Sequence, residues 1–344
     1  MSDHKVFKLL TIDGGGIRGL YSATVLAELE RTFGPIHEHF DLLCGTSTGG
    51  LIALALAAGR SAAEIVDFYE SWGPRIFPEP GRVRRFLRGK GLPVPNSRNK
   101  DGVLREAVGD ILGDKRLCDS NSYLCIPTLN LHSFAPYVFK TDHGPQLSRD
   151  SAVLLKDVAL ATSAAPFYFP VAEASHIRGS AFVDGGLWAN NPSLIGLVEA
   201  ARFFAGPDKP YSAVRILSLA SVTPVSGKPA GFNRRLGLVS SGGDVFKATL
   251  ESQQISADLN TRFLAASMSF PVDYVRIPSP STPACHADCL ELDNAARKCL
   301  DLLKNYGLST AHGWYGRDEI KAFFESKTEA PVFNRPRLRQ SLTT

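Results

Sequence analysis

The sequence predicts an α/β fold built on a mostly parallel central sheet, and three observations carry that expectation. Short apolar runs at 6–12, 40–43 and 213–220 have the length and composition of buried strands. The first two lead directly into glycine-rich turns and then into apolar helical stretches, the strand–turn–helix order that sets neighbouring strand-to-helix loops at one end of a parallel sheet. The chain has 344 residues, 44% of them hydrophobic and 21% charged, which is ample for a sizeable core and too apolar for a disordered chain.

Val6–Ile12 alternates and is rich in large apolar groups, so it is the first expected strand. Asp13-Gly14-Gly15-Gly16-Ile17-Arg18-Gly19 follows, and Leu20–Phe33 reads as a helix. Such glycines let the backbone approach a bound group and aim several N–H groups into one space. Gly14, Gly16 and Gly19 match the dinucleotide fingerprint Gly-x-Gly-x-x-Gly, which would make the protein an NAD-binding oxidoreductase. That reading needs an acidic residue at the end of the second strand to hold a ribose. The second strand instead runs into Ser47, with Asp41 at its start. The competing reading is an oxyanion hole made by the N–H groups of Gly15 and Gly16; a plain tight turn is the third.

Phe40–Leu43 leads into Cys44-Gly45-Thr46-Ser47-Thr48-Gly49-Gly50, and Leu51–Ala58 is a helix apolar on all sides. A serine between strand and helix, with glycine two residues before and after, is the pattern of a nucleophile elbow; an ordinary turn is the other reading, and partners elsewhere in the chain decide between them. Side chains at Gly45 or Gly49 would collide with neighbouring backbone. The strained turn lifts Ser47 Oγ above the sheet edge, at a helix N-terminus that favours developing negative charge.

Gly59 ends that helix, and Ser61 with Glu64 forms a capping box for the next, whose Ile65, Phe68, Tyr69 and Trp72 recur at core spacing. Pro78–Lys100 is irregular and basic, with Arg82, Arg84, Arg85, Arg88, Lys90, Arg98 and Lys100; it reads as a solvated loop, or as a lid or surface for phosphate headgroups. Asp101–Leu112 is helical, Tyr123–Leu131 and Tyr137–Lys140 are paired strands, and Val153–Ala164 is a helix. Phe167, Tyr168 and Phe169 after it line either the core or an acyl pocket.

Ala181–Val183 is a short strand followed by Asp184-Gly185-Gly186. Asp184 is either a turn residue or the base that serves Ser47. Asn191 caps a further helix, with Pro192 in its first turn. After the strand at 213–220 come a Gly/Ser/Pro-rich loop at 221–243, a long helix near 244–266, a strand near 273–277, and helices near 289–306 and 318–325.

The net charge of +4 does not call for nucleic acid and leaves anionic lipid surfaces open. The N-terminus has no apolar signal region, and the longest uncharged apolar run is too short to span a bilayer. A cytoplasmic protein with peripheral membrane contact is expected. The six cysteines then read as reduced thiols. Cys285-His286 and Cys289 resemble half a metal site without its second half, so no metal is expected.

The glycine loop, the serine elbow and Asp184-Gly185-Gly186, in that order, resemble the patatin-like phospholipase family, and Ala161–Pro166 and Asn190-Asn191-Pro192 are similar to it as well. The resemblance covers roughly Phe7 to Ala220. It implies a three-layer α/β/α sandwich and a lipid acyl hydrolase of phospholipase A type. It makes Ser47 the nucleophile, Asp184 the base and the Gly15 and Gly16 amides the oxyanion hole, with Arg18 in support. Gly14, Gly19, Gly45, Gly49, Gly185 and Gly186 are its motif glycines. It calls for no cofactor. A full triad would add His286 or His312; neither sits in a strand-end loop, so a Ser–Asp dyad is expected.

One catalytic unit is expected over 6–330, with a motif-bearing core at 6–221, a helical continuation at 222–330 and a basic tail at 331–344. The chain is also similar to bacterial patatin-like effectors, some of them switched on by cyclic nucleotides in antiphage defence. That similarity implies a phospholipid substrate at a membrane surface and a cyclic nucleotide activator, and leaves room for a homo-oligomer. The alternatives are a constitutive lipid acyl hydrolase, the NAD-dependent oxidoreductase, and an inactive module that keeps only the fold.

Overall fold

The computed structural model describes residues 5–78, 99–166, 168–174, 177, 179–224 and 238–333. Most of the basic stretch after Pro78, Phe167 and the tail at 335–339 lie outside them.

Among the described residues seven strands form one sheet: β1 (Val6–Ile12), β2 (Leu42–Gly45), β3 (Tyr123–Asn130), β4 (Ala135–Lys140), β5 (Phe182–Asp184), β6 (Ala213–Leu219) and β7 (Val272–Ile277). Their spatial order is β4-β3-β2-β1-β6-β7, with β5 paired to β3. Neighbours from β3 through β7 run parallel, whereas β4 and β5 are antiparallel to β3. The register fixes what happens next. Ile12 lies opposite both Gly45 and Leu219, so the chains leaving β1, β2 and β6 emerge side by side at one edge. In open α/β sheets this edge is where ligands bind.

Alternation along β1 sends Leu10 and Ile12 to one face and Phe7 and Leu9 to the other, and each face is buried in its own apolar cluster. Against the first face pack α1 (Gly19–Phe33), α2 (Thr48–Ala57), α3 (Ala62–Ile76), α4 (Asn99–Leu112) and α5 (Leu155–Thr162). The all-apolar α2 is buried from Gly49 through Ala57, which explains why it carries no polar side. One turn, α6 (Gly186–Ala189), follows β5; α7 (Ser193–Phe203) and α8 (Leu238–Ser267) lie against the second face. The result is a sheet between two helical layers.

The C-terminal part differs from its expected outline. The long helix begins at Leu238, not near 244, and the helix expected at 289–306 is a 3-10 turn, Ala284–Leu290, followed by α9 (Arg297–Trp314) and then α10 (Asp318–Phe324). Asp293 and Asn294 make the break: Asn294 Oδ1 accepts the Ala296 N–H at 3.2 Å, a local turn that competes with helix. α9 packs along α1, where Gly307 lies against Thr24 and Tyr21 Oη donates to Thr310 Oγ1 at 3.3 Å. The expectation of six reduced thiols is corrected as well. Cys289 and Cys299 form a disulfide, because the turn before α9 brings their Cα atoms to 4.7 Å; Cys44, Cys118, Cys125 and Cys285 are in no disulfide. Among the described residues no helix is long and apolar enough to cross a membrane.

Candidate active site

Ser47 sits in the turn between β2 and α2 with φ 56° and ψ −125°, a backbone geometry that a residue with a Cβ adopts only when its surroundings enforce it. The enforcement is visible. Thr162, at the end of α5, accepts the Ser47 N–H on Oγ1 at 2.9 Å and donates to the Pro127 carbonyl at 2.7 Å. Thr46 Oγ1 donates to the Ala189 carbonyl at 2.6 Å. A Cβ on Gly45 would strike the Gly49 carbonyl, and one on Gly49 would strike the carbonyls of Ile12 and Asp13. Both glycines therefore mark backbone against backbone. Gly185 packs against the Pro127 carbonyl in the same way, whereas Gly14, Gly19 and Gly186 are close-packed against side chains.

Asp184 ends β5, opposite Thr128 of β3. That pairing carries it across the sheet edge to Ser47, whose Oγ donates to Asp184 Oδ2 at 2.6 Å. Asp184 Oδ1 accepts the Gly186 N–H at 2.7 Å. Asp184 is only 5% exposed. Burial raises its pKa from 3.8 to about 6, against the opposing pull of the Ser47 hydroxyl and the Gly186 N–H.

The glycine loop reaches the same place from β1. Arg18 donates through its backbone N–H and its Nε to the Gly15 carbonyl, both at 3.1 Å. A planar peptide points its C=O and N–H in opposite directions, so holding the Gly15 carbonyl also aims the Gly16 N–H. Gly16 has φ 59°, and its N–H meets no acceptor among the described residues. The Gly15 N–H, by contrast, is lent to Thr48 Oγ1 at 3.2 Å. The two expected donors are thus unequal, one open and one weakly occupied. Arg18 is buried, which lowers its pKa to about 10, with Glu251 and Glu291 acting in the opposite sense; it remains a cation at neutral pH. Its contact here is with the loop. Asp13 anchors the start of that loop through Arg276 Nη2 at 2.5 Å.

Ser47, Asp184, Gly15 and Gly16 lie in the wall of one cavity, whose remainder is mostly apolar, with Thr48, Ser163 and Asn190 among its polar residues. Phe68 and Tyr69, buried in the core as expected, are also part of that wall, and so are Tyr168 and Phe169, for which core and acyl pocket were both open. Sequence reasoning missed Phe77, Leu250 and Leu292 altogether. Leu292 also accepts the Ile17 N–H on its carbonyl at 2.9 Å. No spacing rule points to residues that arrive from distant elements.

Other candidates fall elsewhere. His286 Nδ1 is 2.7 Å from Tyr306 Oη, and His312 lies 3.7 Å from Glu28; neither is in the cavity wall. Asp41, the acid of the dinucleotide reading, accepts the Lys8 N–H at 2.7 Å at the start of β2, the end of the sheet away from the glycine loop. Cys289 is committed to Cys299, which dissolves the half metal site. Among the described residues one grouping could hold a metal, Cys125, His143 and Glu199, but Lys140 Nζ already pairs with Glu199 at 2.5 Å and Thr141 Oγ1 lies 2.8 Å from His143 Nδ1.

The family model for patatin-like phospholipases matches residues 10–196. Over 334 residues the chain is 34% identical to a cGAMP-activated phospholipase of Pseudomonas aeruginosa, spanning 97% of this chain and 96% of that one. It is 35% identical to a cGAMP-activated phospholipase of Vibrio cholerae, over 92% of this chain and 94% of that one. It is 30% identical to patatin-like protein 1 of Oryza sativa, over 87% of this chain and 80% of that one. The chain belongs to the patatin-like phospholipase family.

Proposed function

We propose that this protein hydrolyses fatty-acyl esters of membrane phospholipids, as a phospholipase of A type, through an acyl-serine on Ser47. The observation that carries the reading is the 2.6 Å hydrogen bond from Ser47 Oγ to Asp184 Oδ2 in the wall of an apolar cavity.

An ester entering the cavity lays its acyl chain along apolar walls and brings its carbonyl carbon to Ser47. As Oγ bonds to that carbon, its proton passes to Asp184. The negative charge on the carbonyl oxygen falls to the Gly16 N–H, joined by the Gly15 N–H as it exchanges Thr48 for the oxyanion; a donor so placed contributes about 3 kcal/mol to the transition state. The adduct collapses, the bond to the glycerol oxygen breaks, and that oxygen leaves with the proton from Asp184. Water then repeats the cycle: its oxygen bonds to the acyl carbon, its proton goes to Asp184, and Ser47 Oγ recovers the proton as the fatty acid departs. These residues supply every proton transfer, so no cofactor is called for. A carboxylate pKa near 6 suits the work, because a base of ordinary strength would accept the serine proton poorly.

A cyclic nucleotide of the cGAMP type is the proposed activator. Two relatives so named align over almost the whole chain, well past the motif-bearing core. Residues 6–330 are taken as one catalytic unit that meets the membrane peripherally. The test is fatty-acid release from mixed phospholipid vesicles, with and without cGAMP. Release by the unsubstituted protein on adding cGAMP, and none by Ser47→Ala, is expected. Equal release without the nucleotide would remove the switch and leave the hydrolase; undiminished release by Ser47→Ala would remove the dyad.

A further inference from the structure

The cavity holds a polar side chain that the scheme above leaves unused. Asn190 lies in its wall beside Ser47, Asp184, Gly15 and Gly16 and is 3% exposed. Its backbone carbonyl accepts the Gly14 N–H at 3.0 Å, but its carboxamide has no hydrogen-bond partner among the described residues. The next residue shows the contrast. Asn191 Oδ1 accepts from Ser193 N at 3.0 Å and from Ser193 Oγ at 2.6 Å, and its Nδ2 donates to the Gln254 carbonyl.

The position of the free carboxamide is defined from two sides. The space a side chain would need at Gly14 is shared by Asn190 Oδ1 and Ser47 Cβ; at Gly186 it is shared by Asn190 Oδ1 and Asp184 Oδ1. Asn190 Oδ1 therefore lies beside both nucleophile and base, flanking their direct hydrogen bond. The carboxamide opens on the cavity, so it takes its partner from what enters there. The acyl chain offers none, and the carbonyl oxygen faces the Gly16 N–H. What remains is the water of the second half-reaction. Once Ser47 is acylated, Asp184 Oδ2 has lost its hydroxyl donor, while Oδ1 is still held by Gly186.

We propose that the Asn190 carboxamide holds the hydrolytic water against Asp184 during deacylation. Its oxygen accepts one water hydrogen while Asp184 Oδ2 accepts the other, which turns a water lone pair toward the acyl carbon. As the new O–C bond forms, the hydrogen on Oδ2 transfers to Asp184; the C–Oγ bond breaks, and Oγ takes that proton back. The proposal rests on the acyl-serine reading and adds a residue to its second step only.

The test uses Asn190→Leu, which keeps the shape and removes the hydrogen bonding, and Asn190→Ala as a second variant, both in the full chain with cGAMP present. One readout is the rate of Ser47 labelling by a fluorophosphonate probe, which needs nucleophile, base and oxyanion donors but no water. The other is turnover of a p-nitrophenyl fatty-acyl ester, with acid quench and intact mass to weigh the acyl-enzyme. Labelling is expected to stay within about threefold while turnover falls by about tenfold to a hundredfold, as for a misplaced reactant. The acyl-enzyme fraction should rise, and the melting temperature should hold. Parallel loss of labelling and turnover overturns the proposal, as does unchanged turnover, or early melting of both variants, which would give the side chain a structural task. Failure of the probe to label Ser47 in the unsubstituted protein would instead overturn the acyl-serine reading and take this proposal with it.

Discussion

At the scale of residues, the burial of Asp184 sets a pH dependence of stability and, if it is the proposed base, of turnover as well. Burial makes its ionisation harder in the folded protein than in the unfolded chain, with a pKa of about 6 in place of 3.8. Below about pH 4 both states hold the proton and the folded state bears no cost; the cost grows up to about pH 6 and is complete above it, on the order of 3 kcal/mol. Asp184→Asn removes that cost. It should melt higher than the parent at pH 7.5, lose the advantage at pH 4, and release no fatty acid at either. Identical melting at both pH values would contradict a buried carboxylate. In the parent, turnover should rise about tenfold per pH unit up to about 6 and then level off. Ser47 and Asp184 were legible in the sequence because each sits where an apolar strand meets glycine. The stretches that hold Thr162 and Asn190 were noted only as similar to the family; what each side chain touches was not legible, because those contacts exist only once α5 and the turn after β5 reach the elbow.

At the scale of elements, the β2–α2 elbow and the loop after β1 were the most legible parts of the chain. Both impose backbone constraints that only glycine meets, and such constraints are written directly in residue type. Gly49 shows how strict they are: a methyl group there meets two main-chain carbonyls of β1 and its loop, which cannot swing aside. Gly49→Ala should therefore cost about 3 kcal/mol or more in chemical denaturation and abolish turnover. A stable, active Gly49→Ala protein would mean that the elbow is not packed against β1 as described. The region from Ala284 to Trp314 was poorly legible. Its apolar residues suggested one helix, but the Asp293-Asn294 turn splits it, and the Cys289–Cys299 bond joins the two pieces. Neither the turn nor the bond leaves a periodic signal.

At the scale of the whole molecule, the parallel sheet explains why residues so far apart in sequence form one site. The register of β1 against β2 and β6 sets the glycine loop and the serine elbow at the same edge, and β5, running antiparallel to β3, delivers Asp184 there. The layer order was legible from strand–turn–helix alternation. The contribution of α8 and the segment before α9 to the cavity, through Leu250 and Leu292, was not, since it depends on how the C-terminal part folds back over α1.

The central claim is that an acyl group passes through Ser47. The most direct measurement is rapid acid quench of the cGAMP-treated protein with a fatty-acyl ester, followed by mass mapping of the modified peptide. One acyl group is expected on the peptide containing Ser47, absent from Ser47→Ala and from Asp184→Asn. Fatty acid released at the full rate by Ser47→Ala, with no acylated peptide at any time, would contradict it.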